Sequence, residues 1–252
     1  MKISIITPSF NQADFLEQTI KSVVNQDYKN LEYLIFDGGS TDGSVEIIKK
    51  YAKKYPKLIK YWSKKDKGQV DALNQGLKKA TGDIIAYLNS DDYYLPSTFT
   101  KVINYFKKHP DKLWLVGNCQ VTEKKLRWTF KLKHLIPIHK SKNWLYLSNW
   151  INQPAVFLRK DLVNQVGQFN GKYHYAFDYD YWLRCQKISP PGRLKQPLAV
   201  FRIHQFSKSS TNFRGQFNEQ YKITKKYTDN CSIISLHKFF SWVIIHLYNL
   251  SK

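Results

Sequence analysis

Cysteine is scarce in this chain. Cys119, Cys185 and Cys231 are the only three among 252 residues, and no two stand in a CxxC spacing. An odd, widely spaced set argues against a disulfide framework and against a cysteine zinc site. It fits a reducing, cytoplasmic compartment. Long hydrophobic runs are also missing. None approaches the roughly 20 apolar residues that a membrane-spanning helix needs. The apolar stretch between Lys2 and Thr7-Pro8 is too short for a secretory signal. No G-x-x-x-x-G-K-[ST] occurs, which excludes a Walker loop. The glycine cluster Gly38-Gly39-Ser40-Thr41-Asp42-Gly43 is not G-x-G-x-x-G and follows the second strand rather than the first, which argues against a nicotinamide or flavin site.

Acid is in short supply as well. There are 19 Asp+Glu against 40 Lys+Arg, a formal net charge of +21. That balance favours anionic partners such as phosphorylated substrates, acidic lipid or nucleic acid. The lysines are spread along the chain rather than gathered in a block, so a dedicated nucleic-acid arm is not expected. Hydrophobic residues make up 42% and aromatics 15%. Such a chain can bury a sizeable core, as one large domain or two small ones.

The position of the few acids is therefore informative. After Gly82, the run Ile84 to Leu88 reads as a short buried strand, closed by Asn89-Ser90-Asp91-Asp92. In open α/β sheets, ligands bind beyond the carboxyl ends of the strands. Two adjacent carboxylates repel each other unless a cation or a proton intervenes. Their hard oxygens suit Mn²⁺ or Mg²⁺, which usually arrive shared with a phosphate. The plain alternative is a solvated Ser-Asp-Asp turn.

The rest of the chain alternates in the same way. Strands are expected at Lys2 to Thr7, Leu31 to Phe36 and Leu58 to Trp62. Helices are expected at Ala13 to Asn25, from a cap at Ser40 or Thr41 to about Tyr55, and through Ala72, Leu73, Leu77 and Ala80. This alternation predicts βαβ units and a mostly parallel sheet. Beyond it come a helix opened by Leu95-Pro96-Ser97 and strands at Leu113 to Val116 and near Val121. A strand at Pro154 to Arg159, a helix at Lys160 to Val166 and a strand at Leu198 to Ile203 follow. The basic stretch from Lys124 to Trp150 carries Trp128, Trp144 and Trp150 and reads as a half-buried connector or a binding platform. Asp178 and Asp180 open a helix, where acids also favour the dipole.

Several motifs stand in one order: Thr7-Pro8-Ser9-Phe10-Asn11, Asp37-Gly38-Gly39-Ser40-Thr41-Asp42-Gly43, Asp66-Lys67-Gly68-Gln69-Val70-Asp71-Ala72-Leu73-Asn74, Leu88-Asn89-Ser90-Asp91-Asp92, Gln153-Pro154-Ala155, Phe177-Asp178-Tyr179-Asp180-Tyr181-Trp182-Leu183-Arg184 and Phe201-Arg202-Ile203-His204. The series resembles family 2 glycosyltransferases with the GT-A fold, over about residues 1–215. The resemblance implies an α/β fold with a Rossmann-like, mostly parallel central sheet flanked by helices. A nucleotide-sugar half would span about 1–100 and an acceptor half about 101–215, with a helical tail over 216–252.

The resemblance also implies inverting transfer of a sugar from a nucleotide diphosphate sugar, UDP-linked, to an acceptor hydroxyl, in cell-surface polysaccharide or glycolipid synthesis. Thr7, Pro8, Ser9, Asn11, Asp37, Gly38, Asp66, Gly68, Asp71, Asn74, Asn89, Ser90 and Asp91 match the donor-binding positions. Asp91, Asp92 and His204 match positions that hold a divalent cation, Mn²⁺ or Mg²⁺. Asp71 has a second reading as a helix-start acid, and His204 as a cap on a strand edge. Asn89 departs from the family pattern, which carries an acid there. Asp178 matches the catalytic base, with Asp180 as competitor and Phe177 in place of the more usual Glu. Gln153-Pro154 and the Trp182 region match the acceptor side.

The aromatic, basic tail from residue 232 suggests either peripheral contact with an anionic membrane at its inner face or a helix packed back on the domain. The rival reading is a basic module that binds nucleic acid or acidic lipid without catalysis. It gives no account of acids at successive strand and helix ends.

Overall fold

The computed structural model describes residues 1–122, 144–204, 207 and 212–250. The first half is a run of strand–helix units: β1 (Ile3–Ser9), α1 (Ala13–Val24), β2 (Leu31–Asp37), α2 (Ser44–Lys54), β3 (Ile59–Ser63), α3 (Gln69–Lys79) and β4 (Ile84–Tyr87). β5 (Tyr93–Tyr94), α4 (Thr98–Lys108), β6 (Trp114–Val121) and α5 (Trp144–Leu147) follow. After a 3₁₀ turn at Gln153–Ala155 come β7 (Val156–Arg159), α6 (Lys160–Val166), α7 (Phe177–Ile188), β8 (Gly192–Phe201), α8 (Phe213–Tyr227) and α9 (Cys231–Leu250).

All eight strands form one sheet in the order β3-β2-β1-β4-β7-β6-β8-β5. The four strands β3, β2, β1 and β4 are parallel. They read as continuous apolar runs because helices cover parallel sheets on both faces; every residue of β1 and β4 is buried. β7 then runs antiparallel to both β4 and β6, and β5 antiparallel to β8.

The helices earn their places by patterning. α1 buries Leu16, Ile20 and Val23, and α4 buries Phe99, Val102, Ile103 and Phe106. These side chains join Ile3, Ile5, Tyr33, Ile35, Ile84 and Phe157 in the core. α3 approaches β1 so closely that a Cβ on Gly76 would lie 2.4 Å from Ile6 Cγ2. Only glycine permits that approach, and it fixes the height of α3 against the sheet.

Several boundaries differ from the sequence reading: the stretches at Leu113 to Val116 and near Val121 are one strand, α4 starts at Thr98, and Pro154-Ala155 belong to the 3₁₀ turn. α2 starts at Ser44, behind Gly43 in the left-handed region, and neither Ser40 nor Thr41 caps it. The Asp42 carboxylate instead accepts from Ser44 N at 3.0 Å and Ser44 Oγ at 2.6 Å. Ser40 is turned toward Asp37, which leaves Asp42 as the acceptor nearest the positive end of the helix. The late strand starts at Gly192, six residues before Leu198, because the polar segment Arg193 to Gln196 continues it. Trp128 lies outside the described residues.

The chain divides into two compact units. The first holds Met1–Gln120, Asn152–Phe169 and Pro191–Phe201, and so the sheet. The second holds Val121–Ile151, Asn170–Pro190 and Arg202–Lys252. Its core holds a polar cluster. The Tyr179 hydroxyl of α7 donates to Leu145 O at 2.8 Å and lies 2.9 Å from Thr224 Oγ1 of α8. His237 Nδ1 of α9 lies 2.8 Å from Tyr146 O and 3.2 Å from Thr224 Oγ1. Tyr179, Thr224 and His237 are fully buried. Among the described residues, no helix is long and apolar enough to cross a membrane.

Candidate active site

In the first unit the expected donor-site residues gather at the carboxyl ends of the parallel strands. Asp37 ends β2 and is almost fully buried. Its Oδ2 accepts from Gly39 N at 3.0 Å, Ser40 N at 3.0 Å and Ser63 Oγ at 2.8 Å, while Oδ1 accepts from Ser40 Oγ. The carboxylate thus folds the glycine loop around itself and ties it to the end of β3. Asn11, at φ 50°, braces the loop from β1. Its Oδ1 accepts from Thr41 N at 2.9 Å, and its own N–H donates to Ser40 Oγ at 2.8 Å. Asn tolerates the left-handed region better than most side chains.

Thr7 and Ser9 are buried in β1; the Thr7 hydroxyl pairs with Tyr33 OH at 3.1 Å, and Ser9 O accepts from Gly38 N at 2.8 Å. Gly38 is walled by Asp66 and Phe10, at 3.2 and 3.3 Å from where a Cβ would stand. Phe10 is 60% exposed at the mouth of this cleft. The sequence reading passed over it, although it sits inside the quoted Thr-Pro-Ser-Phe-Asn run.

The next loop is turned by Gly68, at φ 100°, whose N–H donates to Asp66 Oδ1 at 2.7 Å. Burial pushes the Asp66 carboxyl up, and the nearby charges of Asp71 and Asp37 add to that against the Gly68 bond. Asp71 sits in the first turn of α3 and accepts from Lys67 N at 3.2 Å, the helix-start role. Asn74 faces elsewhere: its amide both donates to Phe169 O at 3.0 Å and accepts from Phe169 N at 2.8 Å.

At the end of β4, Asn89 is part of a side-chain relay. Gln69 Nε2 donates to Asn89 Oδ1 at 2.7 Å, Asn89 Nδ2 donates to Gln153 Oε1 at 3.2 Å, and Gln153 Nε2 donates to Tyr87 O at 2.7 Å. Gln153 therefore supports the strand end. Ser90 and Asp92 are buried, whereas Asp91 is half-buried. Two adjacent carboxylates at a strand end, one reaching solvent, fit a hard divalent cation that also takes oxygens from a ligand. Among the described residues, however, no three of His, Cys, Asp and Glu come together as a group able to hold a metal ion. The fit is that of a two-acid site completed by other oxygens.

The second unit holds the remaining candidates. α7 turns Asp178 and Asp180 about 200° apart around its axis. Asp180 is 1% exposed. It is held by Arg184 Nε at 3.0 Å, Tyr227 OH at 2.9 Å and Lys226 Nζ at 3.7 Å. Asp178 is half-buried and accepts from Tyr179 N at 2.7 Å. The helix start is fixed from a distance. The Glu219 carboxylate of α8 takes the N–H groups of His174, Tyr175 and Ala176 at 3.0, 2.7 and 2.8 Å. No local sequence signal marks Glu219, since its partners lie more than forty residues away. Trp182 is fully buried, as are most residues of α7. His204 is half-buried, and its backbone oxygen accepts from Ser207 N at 3.0 Å.

Comparison with known proteins identifies the fold and the family. A glycosyltransferase from Rickettsia conorii is 29% identical over 225 residues, 86% of this chain; the chain spans 37% of that relative's length. The fold resembles residues 1–349 of TarS from S. aureus, solved in complex with UDP-GlcNAc, with a TM-score of 0.67 and 18% identity over 90% of this chain and 71% of that one. It also resembles the mannosyltransferase PcManGT from Pyrobaculum calidifontis, solved with GDP-Man and Mn²⁺, with a TM-score of 0.69 and 15% identity over 94% of this chain and 73% of that one. Both likenesses place the α/β sheet and its flanking helices in the GT-A fold. The profile described as Glycosyl transferase family 2 matches residues 4–167, and the chain belongs to that family.

Proposed function

We propose that this protein transfers a sugar, with inversion, from a UDP-linked donor to an acceptor hydroxyl in the synthesis of a cell-surface polysaccharide or glycolipid. The observation that carries this reading is the row of acids Asp37, Asp66 and Asp91-Asp92 at the carboxyl ends of β2, β3 and β4. Strand ends of this kind are where open α/β sheets take ligands. A nucleotide-sugar complex of the similar TarS supports the donor class.

The cleft bounded by Phe10, Gly38 and Asp66 takes the nucleobase. An exposed aromatic face supplies stacking, and a carboxylate is an acceptor-only partner for a base N–H. Thr7, Pro8, Ser9 and Asn11 shape the β1 side of this cleft. Asp91 and Asp92 hold the divalent cation, Mn²⁺ or Mg²⁺, and the Mn²⁺ in the similar PcManGT supports that choice. When bound, the cation neutralises charge on the departing diphosphate. Asn89 contributes through Gln69 and Gln153 and leaves ligation to the acids.

Asp178 is the base. The acceptor oxygen attacks the anomeric carbon, the bond from that carbon to the phosphate oxygen breaks, and the acceptor proton passes to the Asp178 carboxylate. Asp178 is favoured over Asp180 because Asp180 is buried against a guanidinium and a tyrosine hydroxyl.

The outer face of α9 meets an anionic membrane surface. Leu236, Phe239 and Trp242 are 44, 56 and 61% exposed. Phe239 stacks on Trp242 at 6.4 Å, and Trp242 on His246 at 5.4 Å. Cys231–Leu250 contains no acid. Aromatic side chains with basic neighbours suit the headgroup layer.

The test is ligand-induced melting. A rise in Tm with UDP plus Mn²⁺ supports the transferase; a rise with an oligonucleotide alone supports the basic binding module instead.

A further inference from the structure

The segment that carries Asp91 and Asp92 has little sheet to hold it. β4 ends at Tyr87, and the chain pairs again only over Tyr93–Tyr94. One turn, Asp92 N to Asn89 O at 3.1 Å, is its internal bond. Further partners come from α1 and the turn that follows it. Thr19 and Ser22, three residues apart, share a face of α1, and Gln26 follows two residues after the end of the helix.

Thr19 Oγ1 lies 2.6 Å from Asp92 O and 2.8 Å from Ser90 O, with Phe15 O at 3.3 Å. A hydroxyl has one proton to donate, and here the two loop carbonyls share it. Ser22 Oγ accepts from Tyr94 N at 3.1 Å. Gln26 Nε2 donates to Leu95 O at 2.9 Å, and Gln26 Oε1 accepts from Phe99 N at 3.3 Å. The peptide groups after Ser90 and after Asp92 are thus both anchored to one helix, and the two acids lie between the anchors.

Thr19 is fully buried and Gln26 is 4% exposed. On the apolar flank beside them, Leu16, Ile20 and Val23 already fill the contact with the sheet. Burying polar groups is costly unless they are bonded, so polar side chains here serve direction rather than packing.

We propose that Thr19, Ser22 and Gln26 are positioning residues that hold Asp91 and Asp92 in the geometry needed to face a cation. The proposal rests on the reading of those two acids as the cation site. It makes α1 and the turn after it a support for this loop, and it accounts for the inward-facing polar side chains of Thr19 and Gln26.

The test is amide hydrogen exchange on the full chain, with UDP binding as a second readout. Thr19→Val keeps shape and removes the donor. Exchange at Asp92 and Tyr94 is expected to rise by about tenfold or more, while amides of β1 and β2 keep their wild-type rates. Affinity for UDP with Mn²⁺ is expected to fall about tenfold, with affinity in EDTA unchanged, and Thr19→Ser is expected to restore both. Gln26→Met is expected to loosen Leu95 to Phe99 in the same way and carries the test where Thr19→Val does not fold. Exchange that is unchanged, or that rises equally throughout the sheet, overturns the proposal. Failure of the wild type to bind UDP with Mn²⁺ removes the cation-site reading, and the exchange result still decides whether α1 holds the loop.

Discussion

The side-chain oxygen of Asn89 accepts a hydrogen bond from Gln69 Nε2 at 2.7 Å. That oxygen is the atom an acid at this position would offer to a metal. That bond gives Asn89 a supporting contact at the strand end, beside the charged pair Asp91 and Asp92. Asn89→Ala is expected to change half-saturation by Mn²⁺ less than about threefold, the effect of losing one neutral hydrogen bond at the edge of a site. Asp92→Ala is expected to abolish Mn²⁺-dependent UDP binding. Titration of Mn²⁺ at fixed UDP separates them, and equal losses in the two variants would make Asn89 a ligand.

Asp178 and Asp180 are expected to behave oppositely. Asp178→Asn keeps shape and removes basicity, so transfer falls at least about a hundredfold while nucleotide-sugar binding stays near normal. Asp180→Asn breaks a pair in which the acid is buried and Arg184 is 23% exposed. Its cost is stability, on the order of 2 kcal/mol after allowance for that exposure. Steady-state kinetics beside thermal melting checks both. If Asp178→Asn transfers well and Asp180→Asn is folded and inactive, the base is Asp180.

His237 makes the second unit sensitive to acid. Tyr146 O can only accept, so Nδ1 carries the proton of the neutral ring. Burial lowers the pKa of His237 below its ordinary 6.5, and the Tyr146 bond only partly offsets this. The folded state therefore binds this proton more weakly than the unfolded state. Stability is expected to be intact above pH 6.5 and to decline as pH falls below it, until the folded state is itself protonated. The Tm difference between pH 7.5 and 5.5 should shrink in His237→Gln. An unchanged difference would place the acid sensitivity elsewhere.

Membrane contact is checked by flotation with liposomes at low salt. The full chain is expected to rise with vesicles containing phosphatidylserine and to stay down with neutral vesicles. Phe239→Ser with Trp242→Ser should remove most of the binding without a loss of Tm, since both side chains are exposed. A protein that does not float, or that dimerises through α9 instead, contradicts the membrane reading.

Much of the fold was legible in the sequence because its signals are local. Apolar runs such as Ile84 to Leu88, and the spacing of Phe99, Val102, Ile103 and Phe106, state strand and helix directly. The site was legible where acids fall at the ends of those strands. What could not be read depends on contacts between distant segments. The cap on α2 fell to Asp42 because Asp37 had already drawn in Ser40. Glu219 reaches the start of α7 from α8, and Thr19 and Gln26 turn inward to a loop some seventy residues away. The burial of α7 on most sides, Trp182 included, is set by its neighbours in space.

The most direct test of the account is release of free nucleotide from a panel of nucleotide sugars, measured with Mn²⁺, with Mg²⁺ and with EDTA. The account predicts turnover of a UDP-linked donor that requires the cation, disappears in Asp92→Ala, and is accelerated by the correct acceptor only when Asp178 is intact. No turnover and no binding of any nucleotide sugar with either cation, together with tight binding of an oligonucleotide, would contradict it.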